Sequence, residues 1–190
     1  KMPVQLWRAA INFAPAGPDH RGDAGHAARE RGEDPDELAR IYARVLNKAL
    51  EGKPEDLTVG LHVCRGNFRS TWISEGGYEP VAEVLFGGVN IDAFFLEYDN
   101  DRSGDFAPLR YVRPGHQQVV LGLITTKNGE LENPEGVKAR LQEAAQYVPL
   151  AQICLSPQCG FASTEEGNSL TEAQQWDKVR LVTGIAAQVW

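Results

Sequence analysis

The chain has 190 residues, 42% of them hydrophobic, which is enough for one domain with a sizeable core. Its formal net charge of −7, with no run of Lys or Arg, argues against a nucleic-acid partner and fits ordinary solubility. No apolar stretch approaches the roughly 20 residues of a membrane span, no secretory leader is legible at the N-terminus, and three cysteines are too few for a disulfide framework, so reduced thiols in the cytosol are expected.

Residues 1–25 are expected to form an irregular N-terminal segment, because Ala14-Pro15-Ala16-Gly17-Pro18 and Arg21-Gly22-Asp23-Ala24-Gly25 are rich in turn formers. Residues 5–13 are apolar and fit a short strand or a short helix equally. Residues 26–190 read as one α/β domain. Asp34 is a good N-cap, Pro35 suits the first helical position and Glu37 offers a capping box. Leu38, Ile41, Tyr42, Val45, Leu46 and Ala49 then follow helical spacing until Gly52 and Pro54.

A strand is expected over 57–64, a helix over 79–86 and a second strand over 90–98. A third strand covers 117–125. Asn133 caps a helix running to about residue 148, with Pro134 at its first position. A fourth strand spans 151–155, and Thr171 caps the last helix, to which Trp176, Val179, Leu181, Val182, Ile185 and Val189 bring apolar surface. Nearly continuous apolar strands alternating with helices predict a parallel sheet covered on both faces.

Candidate chemistry collects at the C-terminal ends of three of these strands. His62 and Cys64 are two apart, so they share one face of a strand. Glu97 ends the next strand, and Cys159 lies just past the fourth, after Pro157. One imidazole, two thiols and one carboxylate make a ligand set suited to a single zinc ion. In α/β folds the strand C-termini lie together and carry the site. Cys154, flanked by Ile153 and Leu155, reads as core. Asp99, Asp101 and Asp105 read as a solvated acidic loop, and Lys127 as a solvated loop lysine.

Four segments together resemble the cobalamin-independent methionine synthases, and more closely their short single-barrel relatives. They are 61–72 (Leu-His-Val-Cys-Arg-Gly-Asn-Phe-Arg-Ser-Thr-Trp), 95–104 (Phe-Leu-Glu-Tyr-Asp-Asn-Asp-Arg-Ser-Gly), 120–127 (Val-Leu-Gly-Leu-Ile-Thr-Thr-Lys) and 155–161 (Leu-Ser-Pro-Gln-Cys-Gly-Phe). The resemblance covers roughly residues 27–190. It implies a TIM-type (β/α)8 barrel, of which four βα units correspond to the C-terminal half. It implies that His62, Cys64, Glu97 and Cys159 ligate zinc. It also implies transfer of a methyl group from a methyltetrahydrofolate to homocysteine, giving methionine.

Arg65 and Asn67, just past the first strand, are candidates for binding a substrate carboxylate or glutamate tail. Thr125, Thr126 and Lys127 stand where full-length synthases carry a histidine proposed as an acid. The expected partners are small molecules, with self-association as one route to a complete barrel. Two alternatives remain open: a related zinc-barrel methyltransferase with a corrinoid donor or another thiol acceptor, and an inactive half-barrel.

Overall fold

The computed structural model describes residues 29–30, 32–64, 67–68, 70–72, 76–162 and 165–190. The expectations for residues 1–25 and for Arg65 therefore lie outside the described residues. So does the side chain of Asn67.

Helix α1 (Pro35–Ala49) starts where the sequence predicts. Asp34 caps it by accepting from the Asp36 amide at 3.0 Å. Glu37 does not close a capping box; its carboxylate turns to Arg44 at 3.0 Å and Arg40 at 3.7 Å, because two guanidiniums lie one and two turns along the same face. Strand β1 (Gly60–Val63) follows. The next elements are a short hairpin that the sequence did not announce, β2 (Asn67–Phe68) and β3 (Thr71–Trp72). Helix α2 (Glu79–Ala82) widens into a π-helical turn, Glu83–Gly87. Asn47 ties α1 to that turn, donating to Gly88 O and accepting from Asn90 N, both at 2.7 Å.

Strands β4 (Ala93–Glu97) and β5 (Gln118–Ile124) are joined by two 3-10 turns, Asp101–Ser103 and Ala107–Tyr111, rather than a long helix. Helix α3 (Pro134–Ala144) stops short of residue 148. Strand β6 (Ile153–Pro157) is displaced two residues toward Cys159, because Leu150–Gln152 forms a 3-10 turn. Helix α4 (Glu172–Val189) carries a full capping box between Thr171 and Gln174.

The four long strands form one parallel sheet in the order β1-β4-β5-β6. This is half of a TIM-type barrel. Its core lies on one face. Leu61 and Val63, Phe94 and Leu96, Val119 and Leu121, and Ile153 pack with Leu85 and Phe86 of the π turn, Leu141 of α3 and Ile185 of α4. The opposite face is not covered as expected: the row His62, Phe95, Val120, Cys154 lies in register across all four strands, and three of the four are only half-buried. That is the face which turns inward when such a sheet curls into a barrel.

Lys178 is fully buried on α4 and pairs with Glu132 at 3.0 Å. Glu132 also accepts from the Thr125 amide at 2.8 Å, which fixes the end of β5. Among the described residues no helix is long and apolar enough to cross a membrane.

Lys178→Ala is expected to destabilise the fold by about 1–3 kcal/mol in urea unfolding, since it empties a fully buried position and leaves the part-buried Glu132 carboxylate without its cation. Arg110→Ala, which breaks the exposed pair with Glu79, should leave the unfolding midpoint nearly unchanged.

Candidate metal centre

The site grows directly from strand register. Glu97 at the end of β4 pairs in register with Gly122 of β5, and Gly122 with Ser156 of β6. Cys64 follows β1 by one residue, so it stands next to Glu97 on the inward face. Gly122 leaves the space that the fourth donor needs. A Cβ there would collide with the Cα of Gln158 and come within 2.8 Å of the Leu96 carbonyl oxygen. Without a side chain at 122, the chain leaving β6 crosses over β5 and brings Cys159 to the other strand ends. The Gln158 amide, bound to Ile124 O at 2.8 Å, fixes that crossing. Thr126 adds a 2.8 Å hydrogen bond to the Gln158 side chain.

The result brings all four predicted donors together. One ligand atom each from His62, Cys64, Glu97 and Cys159 lies within 4.8 Å of the other three. Glu97 is buried and the other three are partly buried. His62 Nε2 is buried, has no hydrogen-bond partner among the described residues, and faces Glu97 Oε1 at 3.8 Å. That separation is too long for a hydrogen bond. It is a little longer than the edge between nitrogen and oxygen donors on a tetrahedral zinc, roughly 3.3–3.6 Å for bonds of about 2.0–2.2 Å. A nitrogen without a hydrogen bond beside two thiols and a buried carboxylate fits a cation between them.

Cys154 stands apart. It lies in the same inward row as His62, three strands away and outside the donor group, with Sγ 3.6 Å from Gln118 Oε1. It is half-buried rather than core, and burial pushes its thiol above the ordinary range, which disfavours the thiolate that metal binding needs.

Two loop residues also differ from their sequence reading. Asp99 and Lys127 are partly buried residues whose side chains are nearly covered and ion-paired at 2.6 Å, not solvated. Arg102 joins them, 3.3 Å from Glu97 and 3.6 Å from Asp99. Asp101 and Asp105 are exposed, as expected. The available signal was position: Asp99 and Arg102 directly follow a buried strand, where a loop lies against the sheet end.

The hairpin after Cys64 is latched to the loop after Cys159. Ser70, in the left-handed region at φ 64°, donates its amide to Asn168 Oδ1 at 3.2 Å, and its hydroxyl accepts from the Ser169 amide at 2.9 Å. Asn168 and Ser169 in turn donate to the carbonyls of Thr126 and Lys127, each at 3.0 Å.

No protein-family model matches the chain. It is 60% identical over 159 residues to the uncharacterized protein YxjG of Bacillus subtilis, an alignment that covers 84% of this chain and 42% of that one. A solved structure from Listeria monocytogenes, described as a candidate vitamin-B12-independent methionine synthase, superposes with a TM-score of 0.66 at 45% identity, covering 84% of this chain and 43% of the other. A B12-independent methionine synthase from Shewanella sp. W3-18-1, solved with selenomethionine, gives a TM-score of 0.64 at 25% identity and covers 81% and 44%. The chain is thus similar to B12-independent methionine synthases in sequence and in fold, as its motifs implied, and it spans less than half the length of these relatives.

Cys64→Ser and Cys159→Ser are each expected to lower metal affinity at least tenfold in a chelator competition, while Cys154→Ser leaves it unchanged. Gly122→Ala, which touches no donor, should also weaken binding by pushing Gln158 and Cys159 away, and should cost about 1–3 kcal/mol of stability.

Proposed function

We propose that this chain is the metal-binding part of a methyltransferase that moves a methyl group from a methyltetrahydrofolate to the sulfur of homocysteine, forming methionine. One observation carries the reading: a His, two Cys and a Glu converge at the strand ends of a half-barrel similar to B12-independent methionine synthases.

The donor set suits zinc. Thiolate, imidazole and carboxylate together fit a borderline-soft ion without redox chemistry. An ordinary thiol, with a pKa of about 8.5, is mostly protonated at neutral pH. A bound zinc would supply the charge that keeps an incoming thiol deprotonated. The residues of the chain set the electrostatics around it. Cys64, Cys159 and Glu97 bring three negative charges against two on a divalent ion, which favours an electron-rich sulfur.

In the transfer itself the sulfur's electron pair forms the new S–C bond. The N–CH3 bond breaks, its pair stays on the folate nitrogen, and that nitrogen takes up a proton. Lys127 does not suggest itself as the proton donor, because its ammonium is held by Asp99 at 2.6 Å. Arg65 and Asn67, which follow the His62 strand, are the groups we assign to the carboxylates of the substrates. Reduced thiols at this site fit the cytosol.

The reading also needs the rest of a barrel. The inward row of His62, Phe95 and Cys154 is half-exposed. An apolar groove of about 570 Å³ runs along the edge of β1 that has no partner strand among the described residues, between Leu46 of α1 with its cap Leu50 and Val59 and Leu61. We propose that further strands cover this face, from the remainder of a longer polypeptide or from a second copy. The same openness favours a second reading, a half-barrel that binds metal without turnover.

Methionine formation from homocysteine separates these readings when it is assayed with methyltetrahydrofolate and its triglutamate, and with a methylated corrinoid as the alternative donor. The expected result is turnover with the folate donor that is lost on dialysis against a chelator and restored by zinc. A chain that holds about one zinc yet gives no methionine with any donor, and elutes as a monomer, would leave the inactive half-barrel as the answer.

A further inference from the structure

One cluster of covered charges at the same strand ends ties the donor Glu97 to three side chains that have no role in the reading above. Glu97 and Asp99 have side chains that are 0% and 1% exposed, with Arg102 at 3% and Lys127 at 9%. They come from three places: the end of β4, the 3-10 turn after it, and the end of β5. Two carboxylates face two cations, so the cluster is neutral as a whole, which is the condition for burying it.

The order within the cluster is specific. Lys127 Nζ donates to Asp99 Oδ2 at 2.6 Å. Arg102 Nη2 lies 3.6 Å from the other oxygen of Asp99 and donates to Glu97 Oε2 at 3.3 Å. That leaves Glu97 Oε1 as the oxygen facing His62 Nε2 at 3.8 Å. The two oxygens of Glu97 therefore point to different jobs, one to a guanidinium and one to the donor cluster.

The anchor points are themselves fixed. The Lys127 carbonyl accepts from the Ser169 hydroxyl. The Arg102 amide is capped by Asn100 at 3.2 Å, and the Arg102 carbonyl accepts from Gly76 N at 2.9 Å. Tyr78 grips the Glu97 backbone, with its hydroxyl accepting from the Glu97 amide at 2.9 Å. Glu97 thus has little freedom in backbone or side chain.

We infer that Arg102, placed by Asp99, which Lys127 in turn holds, is a positioning residue that restricts Glu97 to one-oxygen coordination at the His62, Cys64, Glu97, Cys159 centre. This deepens the metal reading and rests on it. A carboxylate with both oxygens available can bind a cation through both and raise its coordination number. With Oε2 engaged by Arg102, Glu97 would offer a bound cation one ligand atom rather than two, which leaves room for a further ligand such as a substrate sulfur. Groups that orient a ligand in this way typically set metal affinity by about 10–100-fold.

Cobalt(II) titration of the purified chain tests this, because the intensity of the cobalt d–d bands falls when a tetrahedral site gains a ligand. Zinc affinity by chelator competition and circular dichroism are read on the same samples. Arg102→Ala is expected to keep its secondary structure, lose about 10–100-fold in affinity and show weakened d–d bands. A single nitrogen, Nη2, serves both carboxylates, so Arg102→Lys should recover most of the tetrahedral spectrum. Lys127→Met should shift the spectrum in the same direction and less far, because Asp99 then draws Arg102 off Glu97.

A folded Arg102→Ala with the parent's affinity and spectrum would overturn the inference. If that variant does not fold, Lys127→Met decides in its place: a parent-like spectrum and affinity there would overturn it. A parent chain that binds neither zinc nor cobalt would overturn the metal reading of the proposed function itself, a result distinguishable from either of these.

Discussion

Parallel register across the four strands is the constraint on which the rest of the structure depends. Gly60 pairs with Ala93, Ala93 with Gln118, and the ladder continues so that Glu97 lies beside Gly122 and Gly122 beside Ser156. Parallel pairing puts every strand's C-terminal end on one edge, so residues more than 90 positions apart in the chain arrive within a few ångströms of each other. A slip of one residue in β4 would turn Glu97 to the helical side and bring Leu96 to the donor side. The buried run of β4 resists that slip, since Phe94 and Leu96 are both in the core. Site geometry and core packing are therefore specified by the same alternation.

Ion pairs do the corresponding work at the strand ends, where there is no ladder. Lys178 and Glu132 hold the end of β5 against α4. Lys127 and Asp99 hold the loops after β5 and β4 together. A buried pair contributes little net stability compared with apolar contacts of the same size, and breaking one is costly. These pairs therefore specify positions more than they add stability. The loops that carry Glu97 and Cys159 are placed by groups that tolerate few alternatives.

Much of this was legible in the sequence where a local rule applied. The caps at Asp34, Asn133 and Thr171 each accept a backbone amide of the first turn, because a short polar side chain before an apolar period has one good use. The strands were placed by apolar content, but their ends shifted by up to three residues, since Gly60 and Ile153 begin pairing only where the neighbouring strand is present. His62, Cys64, Glu97 and Cys159 were found because each sits at a strand end. Asp99 and Lys127 were misread as solvated because each is an ordinary loop residue alone, and their pairing spans 28 positions. Lys178 was missed despite a local signal: it falls at i−3, i−4 and i−7 from Leu181, Val182 and Ile185, on the buried stripe of α4. The role of Gly122 is non-local, because what a Cβ would strike there is Gln158, just past the end of the next strand.

A consequence follows for how the two cysteine loops behave. Cys64 leads into the hairpin that carries Ser70, and Cys159 leads toward Asn168 and Ser169. Those three residues bind each other and the carbonyls after β5. The two thiols are therefore tied twice, once by the strands beneath them and once by the latch beyond them. Ser70 adopts φ 64°, a conformation that costs a non-glycine residue of order 1 kcal/mol and persists only where surrounding bonds over-determine it. Here Asn168 and Ser169 supply those bonds. Strain at the latch is thus offset by hydrogen bonds that join the two donor loops, so opening one loop requires releasing the other. Thiol spacing in this half-barrel is a property of two connected loops rather than of either alone.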